Sequence, residues 1–114
     1  TIKDIDNEIF NNKTDEIIVY KDGKRIDIYK NDESTDIMMI LNKVYEEIYD
    51  NEKVNKFNNQ YNTRFEFDKK IIFYMNTNNE KNVAFEKNGE IRETVLNNKQ
   101  YSALRKYAVG KGKN

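Results

Sequence analysis

The chain has 114 residues, and its 20 acidic and 20 basic side chains give a formal net charge of zero. It contains no cysteine, histidine, proline or tryptophan. The missing cysteine excludes a disulfide framework and a thiolate metal site, and the missing histidine removes the commonest general base and transition-metal ligand. A chain of this length buries roughly two-thirds of its surface on folding, so we expect one domain over residues 1–114.

The sequence does not decide the secondary structure of the first 15 residues. Ile2, Ile5 and Ile9 have helical spacing, but the segment is short, so both helix and strand stay open. The chain begins with Thr1 and not with methionine, from which we expect that an N-terminal signal peptide or lipid anchor has been removed. No apolar run approaches the roughly 18 residues that a membrane-spanning helix needs.

The stretch "EIIVYKDGKRIDIY" at 16–29 predicts a β-hairpin. β-Branched residues flank Asp22-Gly23, a pair that favours a two-residue type I′ turn with positive φ at both positions. This register opposes two pairs of aliphatic residues on one face, Ile17 with Ile28 and Val19 with Ile26. The other face then carries Ile18, Tyr20, Arg25, Asp27 and Tyr29.

The stretch "FEKNGEI" at 85–91 holds a similar pair, Asn88-Gly89, for which we predict a different turn. A two-residue loop would place Phe85 opposite Arg92 and divide the apolar residues between two faces. A three-residue loop with Gly89 as a left-handed bulge pairs Phe85 with Ile91 and aligns the apolar set. That set comprises Val83, Phe85, Ile91 and Val95.

Two helices are predicted. The segment 32–50 has an apolar face formed by Ile37, Ile40, Leu41, Val44 and Ile48, with Asp32, Ser34 or Thr35 as the N-cap. A second helix runs from about 98 to 109, with Tyr101, Leu104 and Ala108 inward, Asn97 or Asn98 as the cap and Gly110 at its end. Residues 51–63 are predicted as an asparagine-rich loop, and residues 110–114 as a frayed tail.

The stretch "RFEFDKKIIFYMN" at 64–76 alternates, with Phe65, Phe67, Ile71, Phe73 and Met75 on one parity. Lys69 breaks the pattern, which indicates a bulge, a bend or two separate strands. A further strand follows at 82–87. The fold class is therefore α+β: a mostly antiparallel sheet of about five strands in ββαβββα order, with odd strand positions from 65 to 91 facing two helices on one side.

Candidates for catalytic chemistry are weak. Asp68-Lys69-Lys70 fits half of a two-metal nuclease motif, with Glu66 and Asp27 as further ligands, but three-residue patterns of this kind are common in a highly charged chain. The acidic run at 31–36 lacks the spacing of a calcium loop. We therefore expect no catalytic residue, no cofactor and no metal.

Binding surfaces are better candidates. If the helices cover one face of the sheet, the reverse face presents aromatic and charged residues that are typical of a contact patch, and we name Tyr20, Arg25, Tyr29, Ile72 and Tyr74 as binding residues. The competing interpretation is that the C-terminal helix or the N-terminal segment covers this face. The end of the chain is basic, but the balanced total charge argues against a nucleic-acid partner.

The stretches "DEIIVYKDGKRIDIYKNDE", "DIMMILNKVYEEI", "IIFYMN", "VAFEKNGEI" and "YSALRKYA" together resemble small uncharacterised lipoproteins of low-GC Gram-positive bacteria. The resemblance implies an extracytoplasmic domain, tethered to the membrane only through a missing N-terminal anchor. The resemblance assigns no activity, but together with the aromatic sheet face it leads us to expect a non-enzymatic binding module with an unknown protein or cell-envelope partner. The alternative is an intracellular phage or mobile-element protein, such as an immunity or regulatory factor, or a weak nucleic-acid binder that uses the C-terminal helix.

Overall fold

The computed structural model describes residues 16–67 and 71–111 of the chain. These form an α+β fold with a six-stranded antiparallel sheet and two helices. The elements in chain order are β1 (Glu16–Lys21), β2 (Lys24–Lys30), α1 (Asn31–Ile48), β3 (Thr63–Glu66), β4 (Ile71–Met75), β5 (Asn82–Lys87), β6 (Glu90–Val95) and α2 (Asn98–Ala108). The strands lie side by side in the order β2-β1-β3-β4-β5-β6. The sheet has one strand more than predicted because the stretch at 64–76 contributes two strands, β3 and β4, which is one of the three alternatives that the sequence left open.

The core lies between the sheet and the helices, as the parity of the strands predicts. Phe65, Phe73 and Phe85 stand side by side on β3, β4 and β5, with neighbouring ring centroids 5.7 and 5.0 Å apart. Each is at most 1 % exposed. Both helices close this layer with the predicted residues, except that Ile40 is only partly buried; these are Ile37, Leu41, Val44, Ile48, Tyr101, Leu104 and Ala108.

The first hairpin has the predicted turn but only half of the predicted register. Asp22 and Gly23 have φ values of 50° and 79°, so the type I′ turn is confirmed. Beyond Tyr20 a β-bulge shifts the pairing by one residue, so that Ile17 opposes Tyr29 and Val19 opposes Asp27. The predicted pairs of Ile17 with Ile28 and of Val19 with Ile26 are therefore wrong.

The second hairpin repeats the first turn, and the predicted three-residue loop is wrong. Asn88 and Gly89 have φ values of 54° and 79°, and Phe85 lies opposite Arg92. The apolar set is divided, as the two-residue register requires. Val83 and Phe85 join the core, whereas Val95 is 65 % exposed on the reverse face of the sheet.

Helix α1 starts without the predicted side-chain cap. Its N-cap is Lys30, the last residue of β2, whose side chain makes no capping hydrogen bond. Of the three predicted caps, Asp32, Ser34 and Thr35, none occupies that position. Ser34 instead donates its hydroxyl to the carbonyl of Asn31 at 2.9 Å. The helix follows the strand directly, so the cap falls on a strand residue.

Helix α2 starts with a reciprocal cap. The Asn97 side chain accepts a hydrogen bond from the Gln100 amide at 2.7 Å, and the Gln100 side chain accepts one from the Asn97 amide at 3.0 Å. Gly110 follows the helix with φ 83°, as predicted. Near the end of α2, Tyr107 donates its hydroxyl to the Asp36 carboxylate on α1. Burial, together with that carboxylate, raises the pKa of Tyr107 to about 12.

The segment between α1 and β3, residues 49–62, is irregular, as predicted, and we name it the strap. Polar side chains satisfy much of its backbone. Arg92 Nη1 donates to the carbonyls of Tyr49 and Asn51 at 2.6 and 2.7 Å. The Asn76 side chain accepts from the Asn62 amide at 2.8 Å. The strap therefore has a defined path without regular secondary structure.

Both edges of the sheet have partners within the chain. At β6, the backbones of Val54 and Ile91 exchange two hydrogen bonds of 2.9 and 3.3 Å. At β2, the Ile28 amide donates to the Asp27 carboxylate at 2.8 Å, and the Ile28 carbonyl accepts from the Lys111 ammonium at 3.5 Å. The backbone of each edge strand is thus engaged within the chain, at Ile91 on β6 and at Ile28 on β2.

The prediction that residues 110–114 form a frayed tail is wrong for Gly110 and Lys111. Gly110 is buried beside Ile26 and Asp27, and the Lys111 amide donates to the Asp27 carboxylate at 2.6 Å. Residues 112–114 lie outside the described residues. So do the open assignment of residues 1–15 and the nuclease motif at 68–70.

Candidate functional site

The reverse face of the sheet, opposite the helices, is organised as two rows of side chains that cross all six strands. Cross-strand pairing defines each row, because paired residues point to the same face. One row runs from β2 to β6 through Ile28, Ile18, Glu66, Ile72, Glu86 and Ile91. The other runs through Arg25, Tyr20, Arg64, Tyr74, Ala84 and Glu93. In the first row isoleucines alternate with glutamates from Ile18 onward, and in the second row arginines alternate with tyrosines from Arg25 to Tyr74.

An arginine–tyrosine cluster forms the centre of the second row. The Arg64 guanidinium lies 4.0 Å from the centroid of the Tyr20 ring, a cation–π contact. The Arg64 Nε also donates to Glu66 at 2.7 Å, on the same strand. Arg25 lies directly across from Tyr20 and is exposed to solvent. Tyr20 therefore lies between two arginines of the row, of which Arg64 stacks on its ring and is held in place by Glu66.

The strap covers the other half of this face, over β4, β5 and β6. Phe57 packs edge-on against Tyr74 with ring centroids 4.7 Å apart, and against Tyr61 at 5.5 Å. Ile91, at the edge of the sheet, is 5 % exposed although it points away from the helices. The strap thus divides the reverse face into a covered half and a half that lies over β2, β1 and β3.

Glu93 on β6 anchors the strap. Its carboxylate accepts hydrogen bonds from the Asn58 amide at 2.9 Å, from Asn59 Nδ2 at 3.2 Å and from the Tyr61 hydroxyl at 2.6 Å. Partial burial raises the pKa of the Glu93 carboxyl, but the bonds from Tyr61, Asn58 and Asn59 outweigh it, so the pKa lies below its ordinary value. Burial and the bond to Glu93 also raise the pKa of Tyr61. The carboxylate stays charged, and the phenol neutral, over the whole physiological range.

Four of the five predicted binding residues lie on the reverse face, and the fifth does not. Tyr20, Arg25, Ile72 and Tyr74 occupy the two rows, and the Tyr74 hydroxyl donates to Glu86 at 2.7 Å. The expected exposure of Tyr29 is wrong. The bulge in β2 turns Tyr29 into the core, where it is 1 % exposed and donates to the Tyr107 carbonyl at 2.8 Å. Burial, with the nearby Asp27, raises its pKa.

The acidic residues suggested for a nuclease do not converge. Glu66 pairs with Ile18 on the reverse face, whereas Asp27 pairs with Val19 on the helix side. Asp27 is bound instead to the Lys111 amide. Across residues 16–67 and 71–111, no group of three or more acidic side chains is arranged to hold a metal ion.

Several basic residues at the end of the chain serve intramolecular contacts. Arg105 Nε donates to the Thr77 carbonyl at 2.9 Å, and the Lys111 ammonium lies 3.2 Å from the Glu33 carboxylate. Lys106 lies 5.0 Å from the centroid of the Tyr107 ring. Helix α2 itself contributes to the core on the helix side and not to the reverse face. The competing interpretation is therefore wrong for this helix, and its other form, coverage by the N-terminal segment, lies outside the described residues.

Two features of the face were missed from the sequence. Arg64 is not among the named binding residues, because its stacking on Tyr20 depends on the pairing of β1 with β3, two strands separated by more than 40 positions. The thin aromatic pattern of Phe57 and Tyr61 is only a weak signal that the strap covers part of the sheet. An asparagine of the strap also binds the sheet, since Asn51 Nδ2 donates to the Glu93 carbonyl on β6 at 2.9 Å.

Comparison with family models, with curated proteins and with solved structures finds no match for this chain. Neither of the helices in the described ranges combines the length and the apolar character that a membrane crossing requires.

Proposed function

We propose that this chain is a non-enzymatic binding module that acts outside the cytoplasm at a bacterial cell surface. Its contact surface is the half of the reverse face that the strap leaves open among the described residues, which we name the β2–β1–β3 patch. The patch comprises Ile18, Tyr20, Arg25, Ile28, Arg64 and Glu66. Its partner is a protein or another component of the cell envelope.

One observation carries the proposal, namely the clustering of Tyr20 with two arginines. Tyrosine and arginine are the side chains most enriched at the centres of binding interfaces, because each joins a large contact area to a polar group. Here Arg64 is already stacked on Tyr20 at 4.0 Å and bonded to Glu66, so little side-chain entropy remains to be lost on binding. The half-buried Ile18 and Ile28 supply apolar area beside the cluster.

The location rests on the resemblance to Gram-positive lipoproteins. A full-length gene with an upstream hydrophobic run that ends in a lipobox cysteine would support it. A methionine directly before Thr1 would contradict the proposed location and favour the intracellular alternative.

The contact surface is tested by co-sedimentation of the purified protein with envelopes isolated from a low-GC Gram-positive bacterium. The Arg25→Glu variant should lose most of the bound fraction. Its matched control is Lys99→Glu, which makes the same charge reversal at an exposed position on helix α2. Both variants should unfold within about 0.5 kcal/mol of wild type, since both sites are on the surface.

Equal binding by both variants, or no binding by the wild type, would refute the proposed surface. An oligonucleotide titration runs in parallel. Salt-sensitive binding that is lost in Lys99→Glu and kept in Arg25→Glu would replace the proposal with nucleic-acid recognition through α2, because phosphate contacts release counterions.

A further inference from the structure

The turn between β5 and β6 presents an unusually accessible asparagine–glycine pair. Asn88 and Gly89 are both exposed, and their φ values of 54° and 79° define a type I′ turn. A Cβ atom added to Gly89 would meet no atom within 4 Å, so no neighbouring group crowds this position, and glycine itself places no side chain beside its backbone nitrogen. Within the described residues, neither the Asn88 side chain nor the Gly89 amide makes a hydrogen bond.

We propose that Asn88 is a site of spontaneous deamidation in the folded protein. The Gly89 backbone nitrogen attacks Cγ of Asn88, so that an N–Cγ bond forms and the Cγ–Nδ2 bond breaks. The side-chain nitrogen leaves as ammonia, taking the proton of the Gly89 amide. Water then opens the five-membered imide at one of its two carbonyls, giving an aspartyl or an isoaspartyl residue.

Asn88 differs from the other asparagines in two ways. It is the only asparagine in the sequence that glycine follows, and any other residue would shield the attacking nitrogen with a side chain. Several of the others are also restrained by hydrogen bonds. The side chains of Asn51, Asn59, Asn62, Asn76 and Asn97 all have partners.

The two products have different structural consequences. The aspartyl product converts the turn to Asp-Gly, which the first hairpin already uses at Asp22-Gly23 with φ values within a few degrees. That product therefore fits the turn. The isoaspartyl product adds a methylene to the backbone of a two-residue loop, and the register that places Phe85 in the core depends on the length of that loop.

Either product adds a carboxylate to a cavity of about 210 Å³ beside the turn. Three basic residues line that cavity, namely Lys53, Lys87 and Arg92. At present Lys53 lies 3.0 Å from the Glu90 carboxylate, and Arg92 is bonded to backbone carbonyls at the end of α1. The new charge would compete with Glu90 for Lys53, so the modification changes the electrostatics of this cavity as well as the loop.

The test is incubation of the whole folded protein at mildly alkaline pH, followed by isoelectric focusing and peptide mapping by mass spectrometry. We expect a species shifted by one negative charge, with the change confined to the peptide that contains Asn88. Asn88→Gln should abolish that species, because its longer side chain closes an imide ring far more slowly. Asn88→Asp should reproduce the charge of the species and unfold at the same denaturant concentration as wild type.

Two results would overturn the proposal. One is an Asn88 amide that persists in native buffer as long as the other asparagine amides, even if it is lost in denaturant. The other is an acidic species that still forms in Asn88→Gln. The Asp22-Gly23 turn serves as the internal control. Imide formation at Asp22 expels water and not ammonia, and reopening of the imide restores a carboxylate, so the net charge of the protein does not change.

Discussion

The two faces of the sheet are held in different ways. On the helix side, Phe65, Phe73 and Phe85 touch one another and are essentially removed from water. On the reverse face, the strap is fixed over the sheet by Glu93, whose carboxylate accepts three hydrogen bonds from it. Non-directional burial stabilises the first face, whereas directional polar bonds define the second.

This difference means that stability and binding can be separated by mutation. A substitution in the phenylalanine layer should affect the whole fold, whereas one on the reverse face should affect the strap or the β2–β1–β3 patch alone. Four experiments examine how each part of the molecule is stabilised, from the largest expected effect to the smallest.

Phe73→Ala should show the largest loss of stability. The ring lies between those of Phe65 and Phe85 and is 0 % exposed, so its removal leaves a cavity in the middle of the core. We expect the free energy of unfolding to fall by about 3–5 kcal/mol, measured by denaturant titration. The matched control is Ile72→Ala, the neighbouring residue on the reverse face, which is half-buried and should cost clearly less. Equal losses for both variants would mean that the reverse face is as important for stability as the core.

Glu93→Gln should loosen the strap with a smaller global effect. The change removes the charge and leaves one acceptor oxygen for three donors, which should cost about 1–2 kcal/mol. Amide hydrogen exchange should accelerate at Asn58 and Val54 more than in the strands. The matched control is Glu86→Gln, since Glu86 accepts a bond from Tyr74 on the sheet and should leave strap exchange unchanged. Uniform acceleration over the whole sheet would contradict a local role.

Glu93 also leads us to expect that the stability of the strap depends on pH. The pKa of the Glu93 carboxyl in the folded protein lies below its ordinary value, so the unfolded chain binds this proton more readily. The stabilisation that the Glu93 carboxylate provides is therefore fully present above the pKa of this group in the unfolded chain. It is lost as the pH falls through the pKa of this group in the folded protein. The protection of the strap amides, taken as the intrinsic exchange rate at each pH divided by the observed rate, should fall over this acidic range, and Glu93→Gln should remove that part of the dependence. An unchanged acid profile in the variant would argue against this assignment.

The smallest effects are expected from the two turn glycines. Gly23→Ala and Gly89→Ala each force alanine to a φ of 79°, with no atom within 4 Å of the added carbon. The cost is therefore conformational and should be about 1 kcal/mol for each, and nearly equal for the two. A large difference between the two losses would contradict the identity of the turns.

Much of the fold could be predicted because it depends on local patterns. The helix face of Ile37, Leu41 and Val44, the cap at Asn97 and the parity of Phe73 and Phe85 all follow from spacing along the chain, and all are confirmed.

The errors came from long-range contacts. The bulge in β2 moved Tyr29 into the core, and its amino-acid pattern resembles that of a regular strand. In the second hairpin, the rule that apolar residues share one face failed because Ile91 is buried from the reverse side by an irregular segment. That segment, the strap, has no periodic pattern of apolar residues. Neither its path nor its effect on the register of the second hairpin could therefore be predicted from the local sequence.

The closed margins of the sheet limit how another molecule can approach it. An incoming strand would have to displace Val54 from Ile91 on one side, or Lys111 and the Asp27 carboxylate from Ile28 on the other. Recognition by strand addition, and the amyloid-like stacking that uses the same exposed amides, are both disfavoured by this arrangement. We therefore expect a partner to contact the side chains on the face of the sheet and not the backbone of its edge strands.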